Sequence, residues 1–136
     1  MPKSVLIFTI PGKPMAQKRH QTTMGGKHTF NPSKGDKQVI AQECRIAANQ
    51  QEWRSAPCPM ALKIYFYFRR PKSRKSLNEK YHTQTPDLDN CIKLYVDAME
   101  SVCLLHNDKQ ICSLVSGKFY TDKEPYTAIE LRPISQ

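Results

Sequence analysis

The sequence contains no run of 18 apolar residues, and its one N-terminal apolar stretch, Val5 to Ile10, is too short for a membrane span or a signal core. A soluble, non-exported protein is expected. Cys-x-x-Cys pairs are also missing. The five cysteines, Cys44, Cys58, Cys91, Cys103 and Cys112, are an odd number spread through segments that look regular. They indicate neither a disulfide framework nor a zinc site. A reducing cytoplasm fits them, and they read as small buried hydrophobes. Repeats and low-complexity tracts are lacking, and 39% hydrophobic with 24% charged residues excludes disorder. A chain of 136 residues is expected to form one domain, 1–136, able to bury a core without staples.

Acids are scarce in the first part of the chain. Residues 1–80 hold sixteen Lys/Arg and four Asp/Glu, residues 81–136 five and eight, and the whole carries +9. A field of this sign draws polyanions and releases their counterions on contact, so nucleic acid is the first partner to consider. Two basic loops, 13–32 and 69–85, carry most of the excess.

Residues 4–10 read as a strand stopped by Pro11-Gly12. The polar stretch to Pro32 reads as a long loop or loose hairpin, of a length that suggests function. Ser33 is placed to cap a helix reaching about Gln51, with Val39, Ile40, Ile46 and Ala47 as its apolar stripe and Trp53 as a packing anchor near its end. Ala61 to Phe68 forms the clearest strand. Alternation there sends half of Tyr65, Phe66, Tyr67 and Phe68 into the core, and any left outside could stack on bases. Arg69 to Thr85 reads as a mobile basic loop. Leu88, Ile92, Tyr95, Val96, Met99 and Val102 share one face of a second helix. Strands at Ile111–Phe119 and Tyr126–Leu131 complete an α+β order, β-α-β-α-β-β, with a small mixed sheet and two main helices. His20, His28, His82 and His106 read as surface residues.

Thr85-Pro86-Asp87-Leu88-Asp89-Asn90 puts two carboxylates two residues apart where the basic loop meets the second helix. Positions two apart diverge on a helix but project to one side of an extended stretch. Pro86 biases its predecessor towards extended backbone, so a helix starting near Asp89 or Asn90 would let both acids face one point. Asp108 follows 19 residues after Asp89, and a helix out with a strand back is expected to return it to the pair. Three carboxylates without cysteine or histidine at ligand spacing form a hard site suited to Mg²⁺ or Mn²⁺. Lys93, one turn beyond Asp89, offers a cation to a phosphate. The plainer reading makes Asp87 and Asp89 helix-dipole partners and Lys93 a member of exposed i,i+4 pairs.

These residues carry a resemblance. Thr85 to Lys93, Asp97-Ala98, Asn107 to Ile111 and Lys118, with Ile10 to Pro14, Lys18-Arg19 and Phe30-Asn31-Pro32 upstream, are similar to the RusA family of Holliday junction resolvases, common in phages and prophages. The resemblance implies a small homodimeric α+β endodeoxyribonuclease that resolves four-way junctions by paired symmetric nicks with Mg²⁺, in DNA recombination and repair. It carries the catalytic, metal-holding acids onto Asp87, Asp89 and Asp108, converging in the folded dimer, and the essential lysine onto Lys93. Asn107 departs from the acid many members have there.

In this reading Lys18, Arg19, Arg69, Arg70, Arg74 and Lys75 grip phosphates without reading bases. A C2 dimer gives two equivalent sites for two cuts. The competing readings are a non-catalytic DNA-binding accessory module and a nuclease of the same fold with relaxed taste for branched DNA.

Overall fold

The computed structural model describes residues 5–18, 21–22, 29–30 and 33–135. Strand β1 (Leu6–Pro11) buries Leu6 and Ile10 and ends at Gly12, whose φ of 100° turns the chain where a side chain would be strained. Two short strands, β2 (Gln21–Thr22) and β3 (Thr29–Phe30), pair antiparallel, which is the loose hairpin expected of this loop. Helix α1 covers Lys34–Gln50. Ser33 stands at its N-cap position, but its side chain makes no capping bond; Ser33 Oγ instead accepts from Lys18 N at 2.7 Å. The buried stripe is Ile40, Ala41, Cys44 and Ala47, whereas Val39 is 52% and Ile46 40% exposed. The expected stripe is thus rotated: positions 40, 44 and 47 keep the helical period, and the small residues, not Val39 and Ile46, meet the neighbouring elements.

Strand β4 (Met60–Arg69) is central, and its alternation divides the aromatics: Phe66 and Phe68 are buried, while Tyr65 and Tyr67 lie on the opposite face. Helix α2 (Leu88–Ser101) then leads to β5 (Ile111–Thr121) and β6 (Tyr126–Pro133). The sheet order is β1-β6-β4-β5, with β4 and β5 parallel and the other neighbours antiparallel. Parallel neighbours need a long crossover, and α2 lies within it. The expected α+β order holds, with the small hairpin added.

The core lies between the helices and one sheet face. Phe66 meets Tyr95 of α2 edge-on, with ring centroids 5.2 Å apart. Trp53 is buried, as expected of an anchor, and donates from Nε1 to Leu104 O at 3.2 Å. On the other face Tyr126, Tyr67 and Phe119 stack across three strands at 4.5 and 5.4 Å. Gly117 makes room for the last ring, since a Cβ there would sit 2.8 Å from Phe119 Cζ.

Three expectations are corrected. Much of the segment 69–85 is ordered rather than loose: Lys72–Leu77 form a 3-10 helix, Tyr81 bridges to Phe119, and Arg74 pairs with Glu79 at 2.9 Å. His82 is buried, because that bridge lays its ring on Phe68 with centroids 3.9 Å apart. Cys103 and Cys112 are exposed, the first in the turn after α2 and the second on the edge strand β5, so only Cys44 and Cys91 are fully buried thiols. His20 and His28 lie outside the described residues.

Candidate active site

The paired acids open helix α2. Asp87 is its N-cap in extended conformation, at φ −68° and ψ 144°, and Asp89 lies in the first turn. The helix therefore begins at Leu88, earlier than the expected Asp89 or Asn90, so the extended stretch ends at Asp87 and Asp89 already projects from the helix. Both residues are exposed. Asp87 makes no side-chain capping bond, so capping does not account for it. Lys93 is exposed one turn on, and among the described residues it forms no ion pair with Asp89 or Asp97. The stabilising i,i+4 pairs of the plainer reading are not formed.

A cleft of ≈ 490 Å³ lies beside Asp87, lined on one side by Thr85, Pro86, Asp87 and Asn90 and on the other by the segment Lys13–Lys18, with Asp36 also in its wall. That segment is anchored, not loose. Met15 N donates to Tyr95 Oη at 3.1 Å, Gln17 N to Asn90 O at 2.9 Å, and Lys18 N to Ser33 Oγ at 2.7 Å. Backbone bonds thus hold two lysines, Lys13 and Lys18, on the wall facing an acidic helix start. Lys13, absent from the expected phosphate-binding set, lines the same wall as Lys18.

Asp108 lies elsewhere. It starts a 3-10 turn, Asp108–Gln110, capped by Asn107, whose Oδ1 accepts from Lys109 N at 2.9 Å. Asp108 N donates to Glu100 Oε2 at 2.7 Å, which ties it to the last turn of α2. From Asp89 to Glu100 the helix rises about 16 Å. The expectation that helix and returning strand bring Asp108 back to the pair is corrected for a single chain: α2 carries the chain away, Asp108 precedes the return, and β5 brings back Lys118. Lys118 Nζ donates to Gln84 O at 2.7 Å and Pro86 O at 2.5 Å. Among the described residues of one chain, no three His, Cys, Asp or Glu side chains are grouped to hold a metal.

Cys91 records the charges of this corner. Burial pushes its thiol up to about 11, Lys118 pulls the other way, and Asp87 and Asp89 push it further up. One buried group therefore feels both acids and Lys118 at close range.

The expected phosphate-binding residues divide. Lys18 and Arg69 are exposed and only loosely paired, to Asp36 at 3.9 Å and Glu124 at 3.4 Å. Arg70 serves the fold, with a side chain only 11% exposed, Nη1 on both oxygens of Asp122 at 2.8 and 2.7 Å, and Nη2 on Glu79 O at 2.5 Å. Arg74 is committed to Glu79. Arg19 and the side chain of Lys75 lie outside what the structure describes.

A model of the family Endodeoxyribonuclease RusA matches residues 11–132. The chain belongs to the RusA endodeoxyribonuclease family. No curated protein matches it. Membership in the RusA family makes this chain a nuclease by descent, and the match spans the cleft wall, the paired acids, Lys93, Asp108 and Lys118. No described helix is long and apolar enough to cross a membrane.

Sequence reasoning named Lys118 without giving it a task. The signal was strand parity. Lys118 pairs with the buried Phe66, so it occupies an inward position on β5 where an apolar residue is the ordinary choice.

Proposed function

We propose that this protein is a Mg²⁺-dependent, structure-selective endonuclease that resolves four-way DNA junctions by paired nicks as a homodimer, in recombination and repair. The observation that carries this reading, beside family membership, is the pair of exposed carboxylates at the start of α2, of which Asp87 makes no side-chain capping bond and lines a cleft together with Lys13 and Lys18.

The donor set fits the cation. Mg²⁺ takes hard oxygen ligands, is commonly held by one or two carboxylates plus phosphate, and keeps several waters. Asp87 and Asp89 would hold it, with Asp108 of a second copy as the third acid; Mn²⁺ has the same ligand taste. When bound, the ion supplies the Lewis acidity that phosphodiester hydrolysis needs. Lys93 neutralises charge developing on the phosphate. Lys13 and Lys18 hold the strand along the cleft, with Arg69 as a further contact, while Arg70 and Arg74 contribute by shaping the basic segment that bears it. Arg19 and Lys75 complete the proposed phosphate-binding set.

A second copy gives Asp108 a route to the pair. Strand β5 lies at the sheet edge, and residues 80–82 cover only its later part, through Tyr81 on Phe119, Tyr120 N on Lys80 O, and His82 N on Lys118 O. Leu114 and Val115, each 47% exposed and on opposite faces, mark the uncovered part. An unpaired edge is a template for another strand. Antiparallel pairing of two such edges about a two-fold axis would lay the beginning of one β5 towards the later part of the other, where Lys118 meets Pro86.

The test mixes Asp89→Asn and Asp108→Asn proteins, each inactive alone, on a labelled four-way junction with Mg²⁺, beside duplex, flap and single-stranded controls. Random exchange of subunits should restore nicking at roughly a quarter of wild-type sites, since one of the two sites in each mixed dimer is then intact. No restoration would overturn the shared site. Wild-type protein that leaves the junction whole would overturn the nuclease reading.

A further inference from the structure

We infer that Lys118 is a positioning residue of this site: by tying the turn before α2 to strand β5 it aims Asp87 while leaving both acids unpaired. The inference rests on the nuclease reading for its catalytic consequence and on the hydrogen bonds alone for its structural part.

The geometry has three parts. Lys118 stands on the inward face of β5, and its ammonium reaches Gln84 O at 2.7 Å and Pro86 O at 2.5 Å. Its own carbonyl accepts from His82 N at 3.0 Å, so the same residue grips the segment 82–86 by main chain and side chain. Asp87, the next residue, is the N-cap of α2, and its carbonyl receives Cys91 N at 3.1 Å as the helix begins.

The choice of partner matters more than the contact. An ion pair between this lysine and the neighbouring Asp87 would neutralise charge that a cation needs. Here the ammonium bonds carbonyl oxygens, and among the described residues it has no carboxylate within 4 Å. An ammonium has three donors, and two are engaged. The turn is thereby fixed without quenching the acids, the supporting arrangement that a rigid ligand set requires.

Lys93 and Lys118 then have different work. Lys93 stands on the exposed helix face and can meet the phosphate directly, whereas Lys118 acts through Asp87. Loss of Lys93 should lower the maximal rate at every Mg²⁺ concentration. Loss of Lys118 should instead raise the Mg²⁺ concentration needed.

The experiment uses the full chain with Lys118→Met, which keeps most of the stem and removes the ammonium, and Lys118→Arg, which keeps the charge and two donors. Amide exchange over residues 82–91 should quicken about tenfold in Lys118→Met and less in Lys118→Arg. The Mg²⁺ midpoint for junction cutting should rise about tenfold in Lys118→Met, with partial rescue in Lys118→Arg and junction affinity in EDTA within about threefold of wild type. Unchanged exchange in Lys118→Met overturns the proposal whatever happens to cutting, and so does an unchanged Mg²⁺ midpoint in an active enzyme. Should Lys118→Met not fold, Lys118→Gln, which keeps an uncharged N–H donor group, is judged by the same two measurements. If wild-type protein cuts nothing, the nuclease reading fails and exchange alone decides the role of Lys118.

Discussion

The two ends of α2 are built on opposite principles. At its C-terminal end polar groups are answered from within the chain. Glu100 receives Asp108 N, Asn107 caps the following turn, and Leu104 O receives Trp53 Nε1. The Gln110 side chain alone makes four bonds, accepting from His106 N and Asn107 N and donating to Ala56 O and Cys58 O. At the N-terminal end the backbone is tied as firmly, by Lys118 and by Gln17 N on Asn90 O, yet Asp87 and Asp89 stay exposed, Asp87 in the wall of a cleft. One end uses its polar side chains to fold, apart from the exposed carboxylate of Asp108. The other holds its backbone still and leaves its acids for something that comes from outside, which is how preorganised sites differ from structural ones.

The largest effect should come from the end with unanswered charge. Asp89→Asn keeps shape and removes charge, and should slow junction cutting on the order of 10³-fold or more at saturating Mg²⁺. Its thermal midpoint should move by no more than a few degrees, because among the described residues no hydrogen bond to that carboxylate is lost. Undiminished cutting together with a large drop in stability would reverse the comparison and make the N-terminal end structural.

Next comes the opposite end, where a change should act on stability first. Gln110→Ala removes four hydrogen bonds and should cost about 1–3 kcal/mol in urea unfolding, part of it regained by solvation of the freed groups. Asp108 sits in the turn that Gln110 holds, so cutting should weaken as well. A stable, fully active Gln110→Ala protein would show that this end needs no internal scaffold and that the position of Asp108 does not matter.

How much of this was legible in the sequence follows from range. Local signals gave the order of elements, the division of Phe66 and Phe68 from Tyr65 and Tyr67, and the extended Asp87 after Pro86, because each depends on neighbours a few residues away. The stripe of α1 was misplaced because Val39 and Ile46 are apolar enough to suggest burial, while the smaller Ala41 and Cys44 are what the packed face accommodates. The distance between Asp108 and the pair was not legible, since 19 residues of helix and turn fix a path length but not the end to which a strand returns. The work of Arg70 was hidden likewise: Asp122, 52 positions away, takes up a charge that sequence alone leaves free.

The smallest expected effect sharpens the comparison at the segment leading into the N-terminal end. His82 is buried against Phe68 and Tyr120, and its Nδ1 has no hydrogen-bond partner among the described residues. Burial first, then the charges of Lys118, Arg74 and Lys13, push it down from 6.5 to about 4, against a smaller opposing pull from its own backbone hydrogen bonding. Between those values an unfolded chain holds a proton there that the folded chain does not. Stability from the neutral imidazole is therefore fully present above pH 6.5 and is lost as pH falls towards about 4. The urea midpoint of wild-type protein should drop between about pH 7 and about pH 5, and His82→Phe, which keeps the stack on Phe68 and cannot be protonated, should drop less. Equal drops would mean that His82 takes up its proton in the folded state. The segment 80–86 would then be open to water, and the contrast between a fixed backbone and free acids at the start of α2 would lose its backbone half.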